Sequence, residues 1–123
     1  PGGFLGVEED LLCGAKRILK SLTSLDNLFL KQFRAFGDPL RTKDKKDQSW
    51  LTLYRKNPNE RVVTVGYLSL VKMEDYIPQP SSFALGAEWV GLNDIPDNLA
   101  FDHNEIIKSG LRYLRTQLDH KII

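Results

Sequence analysis

Glu8, Glu9 and Asp10 form the first acidic run in this chain and the first group of side chains whose types could do chemistry. Two chemistries are open to such groups. Convergent carboxylates hold a hard divalent cation, whereas acids at a helix N-terminus meet its partial positive charge. Adjacent helical residues point about 100° apart, so Glu8, Glu9 and Asp10 do not converge on one ion. Negative charge at a helix start is the simpler role. Cys13 is alone and has no internal disulfide partner, and with only His103 and His120 it completes no metal-ligand pattern. It is expected to be buried on the first helix and unreactive. No Ser-His-Asp or Cys-His arrangement is brought together by the sequence.

The elements that must position these groups follow from periodicity. Leu11, Ala15, Ile18 and Leu22, with Leu12 and Leu19 widening the stripe, predict an amphipathic helix over residues 8 to 22. Gly14 weakens it by about 1 kcal/mol relative to Ala. Asn27 to Phe36 reads as a strand, with Leu28, Leu30 and Phe33 alternating, ended by Gly37-Asp38-Pro39. Arg61 to Val71 is rich in β-branched residues and apolar on both faces, which predicts a strand central in its sheet. Pro78, Pro80, Ser81 and Ser82 predict a loop, Ala87 to Val90 a short strand with Trp89 in the core, and Leu92 to Ile95 a turn. Asp102 followed by Glu105 marks the start of a last helix, on which Ile107, Leu111, Leu114 and Leu118 hold one stripe. The order predicts an α+β or α/β sandwich.

Composition bounds the function. The chain has 123 residues, 17 Lys+Arg against 16 Asp+Glu, 41% apolar and 27% charged residues, the balance of a single soluble globular domain. No apolar run approaches the ~20 residues that span a bilayer. The first twelve residues carry three acids and no base, unlike a signal peptide, so the expected compartment is the cytoplasm. A formal charge of +1 gives no global attraction to nucleic acid. Arg41, Lys43, Lys45, Lys46, Arg55 and Lys56 concentrate positive charge, but Asp44 and Asp47 lie among them, and the stretch reads as a solvated loop. It belongs to a polar insertion, Leu40 to Glu60, around Trp50-Leu51-Thr52-Leu53-Tyr54, which is a candidate lid or dimer contact, or else a loop tip.

The opening segment carries a more specific signal: Gly3, five residues, Glu9, seven residues, Arg17, then aliphatic residues at Leu19 and Leu25. It resembles the box of the Nudix hydrolase family, G-x5-E-x7-R-E-U-x-E-E-x-G-U with U aliphatic. Phe36-Gly37-Asp38-Pro39, Arg61 to Tyr67, Ala87 to Val90 and Leu99 to His103 are similar to the order of segments in ADP-ribose-type Nudix domains, above all those of Nudix-related transcriptional regulators. The resemblance implies an α+β fold, a Nudix-type α/β/α sandwich with a mixed sheet over residues 1–123 as a single domain. The family's upstream strands and a downstream winged helix are expected to lie outside the chain.

The resemblance departs from the family where the chemistry is done. The acids that hold Mg²⁺ on the box helix are replaced here by Ile18, Ser21 and Leu22, and the terminal glycine by Ser24. No catalytic and no metal-binding residue is therefore assigned, and Gly3, Glu9 and Arg17 keep a structural role, with an ion pair expected between the last two. No cofactor is expected, save Mg²⁺ if hydrolase activity is retained. The resemblance implies a nucleotide-sugar effector such as ADP-ribose bound by Arg61, Phe36, Asp38, Tyr67, Glu88 and His103. In that set Arg61 meets the pyrophosphate, Phe36 and Tyr67 flank a base or sugar, Glu88 binds a ribose hydroxyl and His103 meets a phosphate. The plainer roles are a rim ion pair of Arg61 with Glu60 or Asp38, core packing for the aromatics and an N-cap for Asp102. The implied protein is a homodimeric sensor, with no membrane partner, that switches DNA binding through a domain outside this chain. The alternatives are an active Mg²⁺-dependent ADP-ribose pyrophosphatase using other acids, such as Glu88, or a scaffold that only dimerises.

Overall fold

The computed structural model of the protein describes residues 1–42, 60–79 and 86–122. Most of the Leu40 to Glu60 insertion, with Trp50, Tyr54 and all its lysines, lies outside the described residues, as do Pro80, Ser81 and Ser82. The architecture is mixed α+β, with two α-helices and a two-stranded antiparallel sheet among the described residues. In chain order these are α1 (Leu11–Thr23), β1 (Lys31–Phe36), β2 (Thr64–Leu68) and α2 (His103–Ile122), with short 3₁₀ turns at Met73–Asp75 and Leu92–Asp94. The described residues fall into two compact units, one of 1–31, 67–79 and 86–95, the other of 32–42, 60–66 and 96–122.

In the first unit, α1 starts three residues later than its acidic run suggested. Asp10 is the N-cap, and its Oδ1 accepts from the Cys13 N–H at 2.8 Å, so Glu8 and Glu9 precede the helix instead of lying on it. The helix ends at Ser24, whose φ of 64° is left-handed and whose N–H donates to the Lys20 carbonyl at 2.9 Å. A left-handed C-cap is the conformation glycine adopts most cheaply. Ala15, Ile18, Leu19 and Leu22 are half-buried as the stripe requires, while Leu11 and Leu12 are exposed. Cys13 is exposed, contrary to expectation, because it stands about 200° around the helix from Ala15, on the face away from the stripe. Leu25 and Leu28 supply the buried apolar side chains. Asn27 turns with a φ of 59°, and the strand begins at Lys31 and not at Asn27.

The rest of this unit is irregular. Ala87 to Val90 forms no strand, and Trp89 is 45% exposed instead of core, its Nε1 donating to the Tyr76 carbonyl at 2.8 Å. The Gln79 N–H donates to the Thr23 carbonyl at 2.7 Å, and the Gln79 carbonyl accepts from Ser24 Oγ at 3.1 Å, so this segment is fastened to the end of α1.

In the second unit the packing centres on Phe33. Its ring meets Phe36 edge-on at 6.1 Å and Tyr113 of α2 at 6.2 Å. Glycines admit it from two sides: a Cβ at Gly66 on β2 would stand 2.6 Å from Phe33 Cζ, and one at Gly110 on α2 would stand 3.3 Å away. Arg34 lies 4.8 Å from the centre of the Phe36 ring and donates from Nη1 to the buried Ser109 Oγ at 3.2 Å, linking β1 to α2. Strand β2 is shorter than Arg61 to Val71, and among the described residues it pairs only with β1. No residue of it is fully exposed, in keeping with its two apolar faces. On α2, Ile107, Leu111 and Leu114 are half-buried, whereas Leu118 is exposed. Among the described residues no helix is long and apolar enough to cross a membrane.

The fit around Phe33 generates a prediction. Gly66→Ala places a methyl group inside the radius of a ring that is wedged between two elements, so it is expected to destabilise the fold by about 1–3 kcal/mol. Urea unfolding monitored by far-UV circular dichroism reads this as a lower midpoint with an unchanged slope, and an unchanged midpoint would contradict the packing described.

Candidate functional site

Two polar clusters have the geometry to matter. In the first unit, Arg17 on α1 reaches back to the loop before the helix. Its Nη2 lies 2.6 Å from Glu9 Oε1 and 2.7 Å from the Phe4 carbonyl, and its Nε donates to Glu9 Oε2 at 2.9 Å. Glu9 Oε1 also accepts from the Gly6 N–H at 2.7 Å. The bidentate pair and the amide hold the Glu9 carboxyl down at about 2, the arginine hydrogen bonds contributing most and the Gly6 amide next. Gly3 sits close under the helix, where a Cβ would lie 3.1 Å from Ile18 Cγ1. Gly3, Glu9 and Arg17 thus form one local device that fixes the loop against α1.

That device does not suit a hard cation. Both oxygens of Glu9 are committed to Arg17, one oxygen of Asp10 accepts from Cys13, and Ile18, Ser21 and Leu22 bring no carboxylate. Among the described residues no three His, Cys, Asp or Glu side chains are grouped to hold a metal ion. The Cys13 thiol is pushed up chiefly by its hydrogen bond to Asp10, which keeps it in the less reactive protonated form.

The second cluster follows β1. The Gly37-Asp38-Pro39 turn is closed by Asp38, whose Oδ1 accepts from the Leu40 N–H at 2.8 Å and whose carbonyl accepts from the Arg41 N–H at 3.2 Å. The turn sends the Arg41 side chain inward, where it is 4% exposed. Its Nε and Nη2 donate to the two oxygens of Asp102 at 2.9 and 2.7 Å, and its Nη1 donates to the Val62 carbonyl at 3.3 Å. Arg61, next to Val62, donates from Nη2 to the Gly37 carbonyl at 2.7 Å. Asp102 holds the N-cap position of α2, its carbonyl accepting from the Ile106 N–H at 3.0 Å. The following His103 ring packs against Phe101 at 5.6 Å, and Phe101 has a left-handed φ of 53°. Asn104 closes the preceding loop, accepting from the Leu99 N–H at 2.9 Å and donating to the Pro96 carbonyl at 2.7 Å.

Of the residues the resemblance assigned to an effector, Asp38, Arg61 and His103 are all set by this second cluster. Phe36 is 5% exposed and is part of the packing around Phe33. Half-buried Tyr67 and exposed Glu88 belong to the first unit. The residue that sequence reasoning missed is Arg41, which was placed with a solvated charge run. The one local clue was the turn at Asp38, and the partner that buries Arg41 stands 61 residues away.

No protein-family model matches the chain, and a search of curated proteins finds no match.

The depressed Glu9 carboxyl sets a pH dependence. Its native value of about 2 lies below the ordinary 4.5, so its contribution to stability is complete above pH 4.5 and is lost as the pH falls toward 2. Chemical unfolding of wild type and Glu9→Gln across this range is expected to show a constant gap above pH 4.5 that closes at acid pH. A gap independent of pH would show that the ion pair contributes nothing to stability.

Proposed function

We propose that the protein is a non-hydrolytic domain with a Nudix-type α/β/α sandwich fold that binds a nucleoside diphosphate sugar such as ADP-ribose and uses it to regulate an attached DNA-binding domain. The observation that carries the non-hydrolytic part is the set Ile18, Ser21 and Leu22 on α1, which brings no carboxylate to the positions where the family's box helix holds its cation. Hydrolysis of a pyrophosphate by this route needs carboxylates on one helical face to position a divalent cation. The Nudix likeness itself is supported by local geometry: the close approach at Gly3, the pairing of Glu9 with Arg17, and the left-handed cap at Ser24 where the box has glycine. Asp38, Arg61 and His103 are the polar groups proposed to meet the ligand, with Arg61 as the cation for its phosphates. Phe36 is left to the core. Regulation then requires that the effector bind two states of the protein with different affinity.

Isothermal titration of the protein with ADP-ribose, with and without Mg²⁺, followed by chromatography of the mixture, tests this. Saturable binding, intact ADP-ribose and little dependence on Mg²⁺ are expected. Mg²⁺-dependent cleavage would replace the proposal with an active pyrophosphatase, and the absence of binding would replace it with a scaffold.

A further inference from the structure

We infer that Arg41 is the positioning residue of the effector site, its backbone N–H holding Asp38 and its buried guanidinium setting Arg61 and His103; this rests on the nucleotide-sugar reading above. The geometry is specific. The Arg41 N–H is bonded to the carbonyl of Asp38 itself. Its Nη1 holds the carbonyl of Val62, the residue after Arg61. Its Nε and Nη2 hold both carboxylate oxygens of Asp102, the residue before His103. Each of the three proposed ligand contacts is therefore no more than one residue from an atom that Arg41 fixes.

Stability alone is a poor reason for such an arrangement. Withdrawing a guanidinium and a carboxylate from water costs much of what their attraction returns, and apolar residues of similar volume often serve a core as well or better. What the pair supplies that apolar contacts do not is direction: planar, two-pronged bonds that fix one segment relative to another. Lysine keeps the charge but loses the fork, so Arg41→Lys separates the two contributions. Asp102→Asn removes the charge while keeping an acceptor oxygen and the side-chain volume. Neither residue is asked to touch the ligand.

The test is titration with ADP-ribose of wild type, R41K, R61A and the R41K/R61A double variant, each first shown to be folded by a cooperative thermal transition, with D102N used if R41K does not fold. R41K is expected to weaken binding about tenfold. The double variant is expected to bind no more weakly than R61A by more than about twofold, because Arg41 acts largely through where it places Arg61. The Arg61 Nε–Hε resonance is expected to shift in ligand-free R41K, a change that general loss of stability does not produce. Wild-type affinity in folded R41K, fully additive losses, or an unmoved Arg61 resonance would each overturn the inference while leaving the binding function intact. Failure of the wild-type protein to bind ADP-ribose would overturn both.

Discussion

A guanidinium cannot be taken out of water without partners, and the second unit is organised around meeting that demand for Arg41. Three of its nitrogens are matched by the two oxygens of Asp102 and the carbonyl of Val62. A conformation that separated these segments would leave a charge buried and unpaired, at a cost of several kcal/mol. Local features follow from the same constraint. The turn at Asp38 aims Arg41 inward, the Val62 carbonyl just before strand β2 accepts from it, and the start of α2 lies where Asp102 can reach. The same unit also carries the apolar packing of Phe33 between Gly66 and Gly110.

The first unit shows the other regime of charge pairing. Arg17 and Glu9 meet at 2.6 Å, but the arginine side chain is half exposed, and water screens such a pair. Its effect is mainly geometric. By gathering the Phe4 carbonyl and the Gly6 amide into one set of hydrogen bonds, the pair turns the loop before α1 into a defined shape. The same contacts commit Glu9 to a structural role, and the proposed loss of chemistry lies instead with Ile18, Ser21 and Leu22, which bring no carboxylate to the helix.

Much of the site was legible where the signal was local. The spacing of Glu9 and Arg17 brings them together across the start of one helix, and the turn chemistry of Gly37-Asp38-Pro39 ends β1 as its residues require. Asp102 marked the last helix correctly. Its carboxylate, though, is engaged by Arg41, a contact that no reading of the N-terminal signal of α2 would supply. Trp89 and Cys13 failed in the opposite direction. Trp89 is expected in the core as part of a short strand and Cys13 buried on the first helix, yet one lies on an irregular segment with its indole N–H on a carbonyl and the other on the outer face of α1.

From the sequence alone came the presence of two amphipathic helices, the strand character of the segments before Gly37 and around Val65, the stop and start residues between them, and the pairing of Glu9 with Arg17. These depend on periodicity, capping and contacts within about two helical turns, all of which are written in neighbouring residues. Tertiary structure decided where each strand ends, which glycines face Phe33, that Arg41 is buried and that Asp38, Arg61 and His103 share one support. Those outcomes rest on contacts between residues 61 and 75 positions apart, such as Arg41 with Asp102 and Arg34 with Ser109. Side-chain types carry no record of such partners until the chain has brought them together.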